Sequence, residues 1–289
     1  MPDNTLTTQE YTSSYKPTWC PGCGNFGINA AVKNALVGLG IPTHQVVMIF
    51  GIGCFGNGSN FYANYVFHGI HGRTLPVASG IKLANHELTV IADAGDGDGY
   101  GEGGNHFIHT CRSNIDLTFI VHDNRMYSLT QGQLSPTAPK GFLTKSTPFG
   151  SLETPFNPLA VALINGATFV AQGFSSDIPH LTELIKKAIS HRGFALLNIL
   201  QVCVTFNKVN TEQWYKERIY KLETTQHDIK NYGQALTVAL KQDDKLPIGV
   251  LYQIERPTYE DQLPQIKEQP LIKQKIDNVD ISKSLEEYK

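Results

Sequence analysis

Apolar residues along this chain fall into short unbroken runs that alternate with stretches of helical spacing. Val46 to Phe50, Leu88 to Ala92, Leu117 to His122, Thr168 to Ala171 and Phe194 to Leu200 each read as a strand buried on both faces. Between them lie helical patterns: Ile28, Val32 and Leu36 in a stretch ending at Gly38 and Gly40, a turn and helix from Gly72 to Ala84, and Asn105 to Arg112, Leu159 to Ile164 and Ile178 to Ser190. Strand–helix alternation of this kind predicts an α/β fold with a doubly wound, mostly parallel sheet. Such sheets bind ligands beyond the carboxyl ends of their strands.

The stretch from Leu88 to Thr137 forms one βαβ unit in this pattern, with a glycine-rich turn from Gly95 to Gly104 and an Asp123-Asn124 pair closing its second strand. Three regions break the pattern. Residues 1–18 are polar and aperiodic, an arm that orders only against something else. Ser135 to Pro158 is irregular and rich in Pro, Thr, Gly and Ser, which marks a functional or partner-held loop. From Asn210 onward charges, tyrosines and prolines accumulate, so residues 210–289 are expected to form an extension over a surface or a partner, leaving 19–209 as the main domain.

Composition narrows the function. At 289 residues and 41% hydrophobic the chain can bury a full core. A net charge of −2 provides no field for nucleic acid. The lack of a leader-like start or a long apolar run points to a cytoplasmic protein away from membranes.

Candidate chemistry concentrates at the strand ends. In Gly95-Asp96-Gly97-Asp98-Gly99 the glycines admit close approach of an anion, while Asp96 beside a phosphate would repel it unless a cation lay between. Mg²⁺ or a similar hard ion, with Asn124 as a neutral oxygen donor, satisfies both demands. Neither a P-loop nor a dinucleotide glycine fingerprint is present. Cys20 and Cys23 form a C-x-x-C turn compatible with half a zinc site, a redox dithiol or half an iron–sulfur site. No strand precedes it, which disfavours a thioredoxin-like role. Cys54 and Cys203 each follow a predicted strand, so four thiols can gather at one sheet edge, where spacing alone leaves zinc and [4Fe–4S] equally open. Cys111 reads as a core residue.

The ordered motifs Trp19-Cys20-Pro21-Gly22-Cys23-Gly24, Gly51-Ile52-Gly53-Cys54, His71-Gly72-Arg73, Gly95-Asp96-Gly97-Asp98 and Asp123-Asn124-Arg125-Met126 through Thr130 resemble the β subunits of 2-oxoacid:ferredoxin oxidoreductases. The first motif is more similar to the 2-oxoglutarate type than to the pyruvate type. The resemblance implies a thiamine diphosphate-binding fold and oxidative decarboxylation of a 2-oxoacid to acyl-CoA. It implies thiamine diphosphate, Mg²⁺ and one [4Fe–4S] cluster as cofactors, and a large α (or α/γ) subunit, ferredoxin, the 2-oxoacid and coenzyme A as partners.

By motif position, Cys20, Cys23, Cys54 and Cys203 would ligate the cluster, and Asp96, Asn124 and the Met126 carbonyl would hold the metal. Gly53, Gly95, Gly97, Asp98, Tyr127, Leu129 and Thr130 would line the cofactor. His71, Leu129 and Gln131 would stand near the reacting centre, with Gln131 and the Phe55-Gly56-Asn57 segment departing from the family pattern where substrate choice is expected. Two other readings stay open: a non-oxidative thiamine diphosphate decarboxylase or carboligase half, and a non-catalytic iron–sulfur electron carrier.

Overall fold

The computed structural model describes residues 6–241, 244–275, 277 and 279–288. Among these residues lie ten strands: β1 (Val46–Phe50), β2 (Tyr65–His68), β3 (Thr89–Gly95), β4 (Leu117–Asp123), β5 (Met126–Tyr127), β6 (Gln133–Leu134), β7 (Phe169–Phe174), β8 (Phe194–Leu200), β9 (Ile219–Lys221) and β10 (Leu246–Gln253). The helices are α1 (Asn25–Gly38), α2 (Thr74–Ala84), α3 (Gly104–Ser113), α4 (Pro158–Ile164), α5 (Ile178–Ser190), α6 (Glu212–Lys216), α7 (Tyr232–Leu240) and α8 (Ser282–Glu286). Eight strands form one sheet in the order β2-β1-β3-β4-β8-β7-β10-β9, parallel except where β10 runs antiparallel to β7. The sheet is doubly wound. Helices α1 and α5 pack together, while α2, α3, α4 and α7 form a separate continuous layer.

Every residue of β1, β4, β7 and β8 is buried, because helices cover both faces and the apolar runs have no solvent side. The predicted strands are therefore real, with shifted ends. The strand expected over Leu88 to Ala92 runs on to Gly95, and the one expected over Thr168 to Ala171 runs on to Phe174.

Other elements depart from the sequence reading. Strand β2 was hidden in an aromatic segment: all four of its residues are exposed at the sheet edge, so it has neither a buried run nor an alternation to signal it. The carboxyl-terminal region is not simply an extension. Strand β10 lies inside the sheet beside β7, and α7 contributes buried Ala235 and Ala239 to the core. The described part of the arm is fastened to its own chain: Tyr11 is fully buried and donates to the Ile41 carbonyl (2.6 Å), and Thr12 bridges to Tyr62.

The segment after β10 follows the edge from which the parallel strands start. Asn114, ahead of β4, donates to the Arg256 and Pro257 carbonyls, and Glu260 accepts the Asp116 amide at 3.0 Å. Lys273 pairs with Glu87, just ahead of β3. The opposite edge carries Gly51 to Cys54, Asp96, Asn124 and Cys203, one after each of β1, β3, β4 and β8. That edge is where the chemistry gathers.

Candidate active site

Asp96 begins a single π-helical turn, Gly97–Glu102, directly after β3 and is 1% exposed. Its Oδ2 accepts the hydroxyls of Ser135 (2.5 Å) and Thr137 (2.6 Å), while the same Thr137 oxygen lies 2.8 Å from Asp123 Oδ1. One hydroxyl proton cannot serve two carboxylates. Burial, and then the charge of Asp123, push Asp96 up to about 8. A carboxyl held in this state calls for a proton or a cation.

Asn124 faces the same cavity with its amide fixed on both sides. Oδ1 accepts the Met126 amide (3.0 Å), Nδ2 donates to Gln201 Oε1 (3.1 Å), and Asn207 donates to the Asn124 carbonyl (3.1 Å). Gly53, Cys54, His71, Gly95, Gly97, Asp98, Met126, Tyr127, Leu129 and Thr130 are among the other residues of the lining, with Ile52, Phe55, Ser128 and Gln201. At Gly97 a Cβ would stand 2.4 Å from the Tyr127 ring, so the turn closes only with glycine there.

Asp98 is also in the lining, but its carboxylate is already engaged. Oδ1 accepts the amides of Gly72 (2.9 Å) and Ile52 (3.2 Å) and lies 2.7 Å from His71 Nδ1. Burial raises Asp98 while the two amides pull it down. It brackets two turns from different parts of the chain. Tyr127 similarly reaches the Gly97 carbonyl (3.3 Å) and Glu102 (3.1 Å), tying the π turn to the β5–β6 hairpin.

The four cysteines, Cys20, Cys23, Cys54 and Cys203, line an adjoining cavity of about 250 Å³, together with Trp19, Asn57 and Phe206. Trp19 Nε1 donates to the Cys54 carbonyl (2.6 Å), and Thr205 donates to Cys20 Sγ (3.0 Å). Burial pushes Cys54 up to about 11, and the other three cysteines add to the rise. Cys23 is raised by burial as well. Among the described residues no three His, Cys, Asp or Glu side chains converge as they would on a single ion. Cys111 lies apart, fully buried in the core.

The family profile described as "Thiamine pyrophosphate enzyme, C-terminal TPP binding domain" matches residues 43–199. A second profile, describing the carboxyl-terminal part of the pyruvate ferredoxin oxidoreductase beta subunit, matches residues 203–268. A 2-oxoacid:ferredoxin oxidoreductase subunit beta from a Sulfolobus species is 44% identical, over 85% of this chain and 85% of its own length. The chain belongs to the β subunits of 2-oxoacid:ferredoxin oxidoreductases.

More specific likenesses accompany this one. The 2-oxoglutarate synthase subunit KorB of Archaeoglobus fulgidus is 38% identical over 80% of this β subunit and 83% of its own length. Among solved structures, the 2-oxoglutarate:ferredoxin oxidoreductase from Magnetococcus marinus with 2-oxoglutarate, coenzyme A and succinyl-CoA bound superimposes with a TM-score of 0.91. That match has 38% identity and covers 100% of this chain and 97% of the other.

The β subunit thus gathers nearly all of the residues singled out from its motifs. Gln131 is the exception: it lines neither cavity and stands exposed at the hairpin tip with φ +80°, a left-handed position that ordinarily favours glycine. Leu129 and Thr130 do line the cavity, with Leu129 52% exposed. Sequence reasoning missed Ser128, Ser135, Thr137, Gln201 and Asn207. Ser135 and Thr137 open a stretch without periodicity, and only their position directly after the hairpin could have flagged them.

Proposed function

We propose that this β subunit, completed by a larger partner subunit, carries out the oxidative decarboxylation of a 2-oxoacid, 2-oxoglutarate foremost and pyruvate next. The products are acyl-CoA and CO₂, and two electrons leave through a [4Fe–4S] cluster to ferredoxin. One observation carries the reading: Cys54, Asn124, Ser128, Leu129 and Gln201 line both cavities, so the oxygen-lined and sulfur-lined halves share a wall.

The residues fit the groups that this function needs. Asp96 and the oxygens of Asn124 and Met126 would hold Mg²⁺, a hard ion suited to carboxylate and amide oxygens, and a cation there would keep the buried Asp96 carboxyl, pushed up to about 8, ionised. Gly95 and Gly97 would line a diphosphate, their bare backbone lying against the Phe55 and Tyr127 rings. Thiamine diphosphate, when bound, supplies the carbanion chemistry that cleaves the carboxylate. Four thiols spread around a cavity suit an iron–sulfur cube better than one zinc ion, whose sulfurs would each lie about 2.3 Å from a common centre. Leu129 lies on the shared wall, Phe55 lines the oxygen-lined cavity alone, and His71, held by Asp98, would border the substrate side.

Anaerobic purification with the co-expressed larger subunit tests this. A brown complex with about four iron and four sulfide per β subunit, reducing viologen in a coenzyme A-dependent way with 2-oxoglutarate ahead of pyruvate and branched-chain 2-oxoacids, is expected. A colourless, zinc-loaded complex would sink the reading.

A further inference from the structure

Ser128 lies in the wall between the two cavities, buried, with Oγ 3.4 Å from Asn124 Oδ1 and 3.3 Å from Cys203 Sγ. It therefore touches one residue assigned to the metal and one assigned to the cluster. A hydroxyl has a single proton, so Ser128 donates to the amide oxygen or to the sulfur, never to both at once. Gln201 sets which atom of Asn124 it meets. Its Oε1 accepts Asn124 Nδ2 (3.1 Å) while its own Nε2 is tied to Asn25 Oδ1 (2.7 Å), so Asn124 Oδ1 is the atom that Ser128 meets; the Met126 amide takes one lone pair of that oxygen (3.0 Å), and the hydroxyl and a cation would compete for the other.

We propose that Ser128 is a positioning residue whose proton couples the occupancy of the metal position to the reduction potential of the cluster. The proposal rests on the reading of both cavities given above. A cation at Asn124 Oδ1 repels the hydroxyl proton from that oxygen, and the proton turns to the Cys203 sulfur. Hydrogen bonds to cluster sulfurs are among the factors that set iron–sulfur potentials. Donation stabilises the more negative, reduced form, so the potential rises when the metal and its cofactor are in place. Linkage makes the effect reciprocal: reduction of the cluster holds the proton at sulfur and strengthens cation binding by the same factor.

The test uses the complex co-expressed with the larger subunit and kept anaerobic, with the cluster midpoint followed by electron paramagnetic resonance with and without Mg²⁺ and thiamine diphosphate. The wild type should show an upward shift on loading. Ser128→Ala should lose a tenfold share of that stabilisation, about 59 mV for a one-electron couple, and Ser128→Thr, which keeps the hydroxyl, should restore it.

Gln201→Leu is the second variant. It frees the Asn124 amide and leaves the Ser128–Cys203 contact in place; loss of the Gln201 Nε2 contact to Cys23 Sγ (3.6 Å) moves the midpoint with and without Mg²⁺ alike, so the shift on loading is the readout and should also diminish. A full wild-type shift in Ser128→Ala and in Gln201→Leu overturns the coupling. An iron-free wild-type complex overturns the assignment of the sulfur-lined cavity instead.

Discussion

The oxygen-lined and sulfur-lined halves share a wall, yet they are built by opposite means. Asp96 and Asn124 come from the ends of neighbouring strands in one βαβ unit, are buried, and have their orientation fixed by Ser135, Thr137, Gln201 and the Met126 amide. The cysteines come from three distant places, the turn before α1, the end of β1 and the end of β8, and range from exposed Cys20 to buried Cys203. The first half is preorganised by the fold. The second is a set of thiols, two of them pushed upward by burial and mutual repulsion, whose arrangement is completed by what fills it.

Breaking each half separately tests that contrast. Asp96→Ala should have the largest effect, removing one partner of a buried charge site at roughly 4 kcal/mol, or about a thousandfold. Calorimetry should then detect no Mg²⁺-dependent thiamine diphosphate binding while iron content stays at the wild-type level. Loss of iron as well would mean that the halves are not independent. Cys203→Ser should do the converse, discharging the cluster as seen in the visible spectrum while thiamine diphosphate affinity stays within about tenfold, a cost near 1.4 kcal/mol.

Smaller effects sharpen the picture. Asp98→Ala strands the buried amide of Gly72 and the half-buried one of Ile52. It should cost about 3 kcal/mol, roughly 6 to 12 °C in Tm for a domain of this size, measurable by thermal unfolding of the complex. An unchanged Tm would remove Asp98 from its bracketing role.

The mildest test alters nothing in the chain. With its thiol near 11, Cys54 of the cluster-free protein is thiolate in only roughly one part per thousand at pH 8. The raised value means that reactivity grows as pH rises toward 11, so alkylation of Cys54 should speed up about tenfold per pH unit from 8 to 10, read by peptide mass spectrometry. A plateau below pH 9 would show that burial does not keep this thiol protonated before the site is filled.

Much of this was legible in the sequence because a parallel strand buried on both faces announces itself, and because the strand-end rule then places Asp96, Asn124, Cys54 and Cys203 along one edge. What remained hidden depends on contacts between distant turns. The motif marks Asp98 as a cavity residue, which it is, but the hold of its Oδ1 on the Ile52 and Gly72 amides is announced by nothing local. Strand β2 carries no burial pattern, and β10 was masked by the charged, proline-rich residues around it. Ser135 and Thr137 act through a loop whose composition reads as irregular surface.

The segment after β10 lies along the edge opposite the site, where Lys273 meets Glu87 and Arg192 meets Asp261. The molecule is therefore two-ended in a practical sense. Tethering it to a solid support through that lysine-bearing edge would leave the cysteine-lined edge facing outward, open to solutes instead of buried against the support.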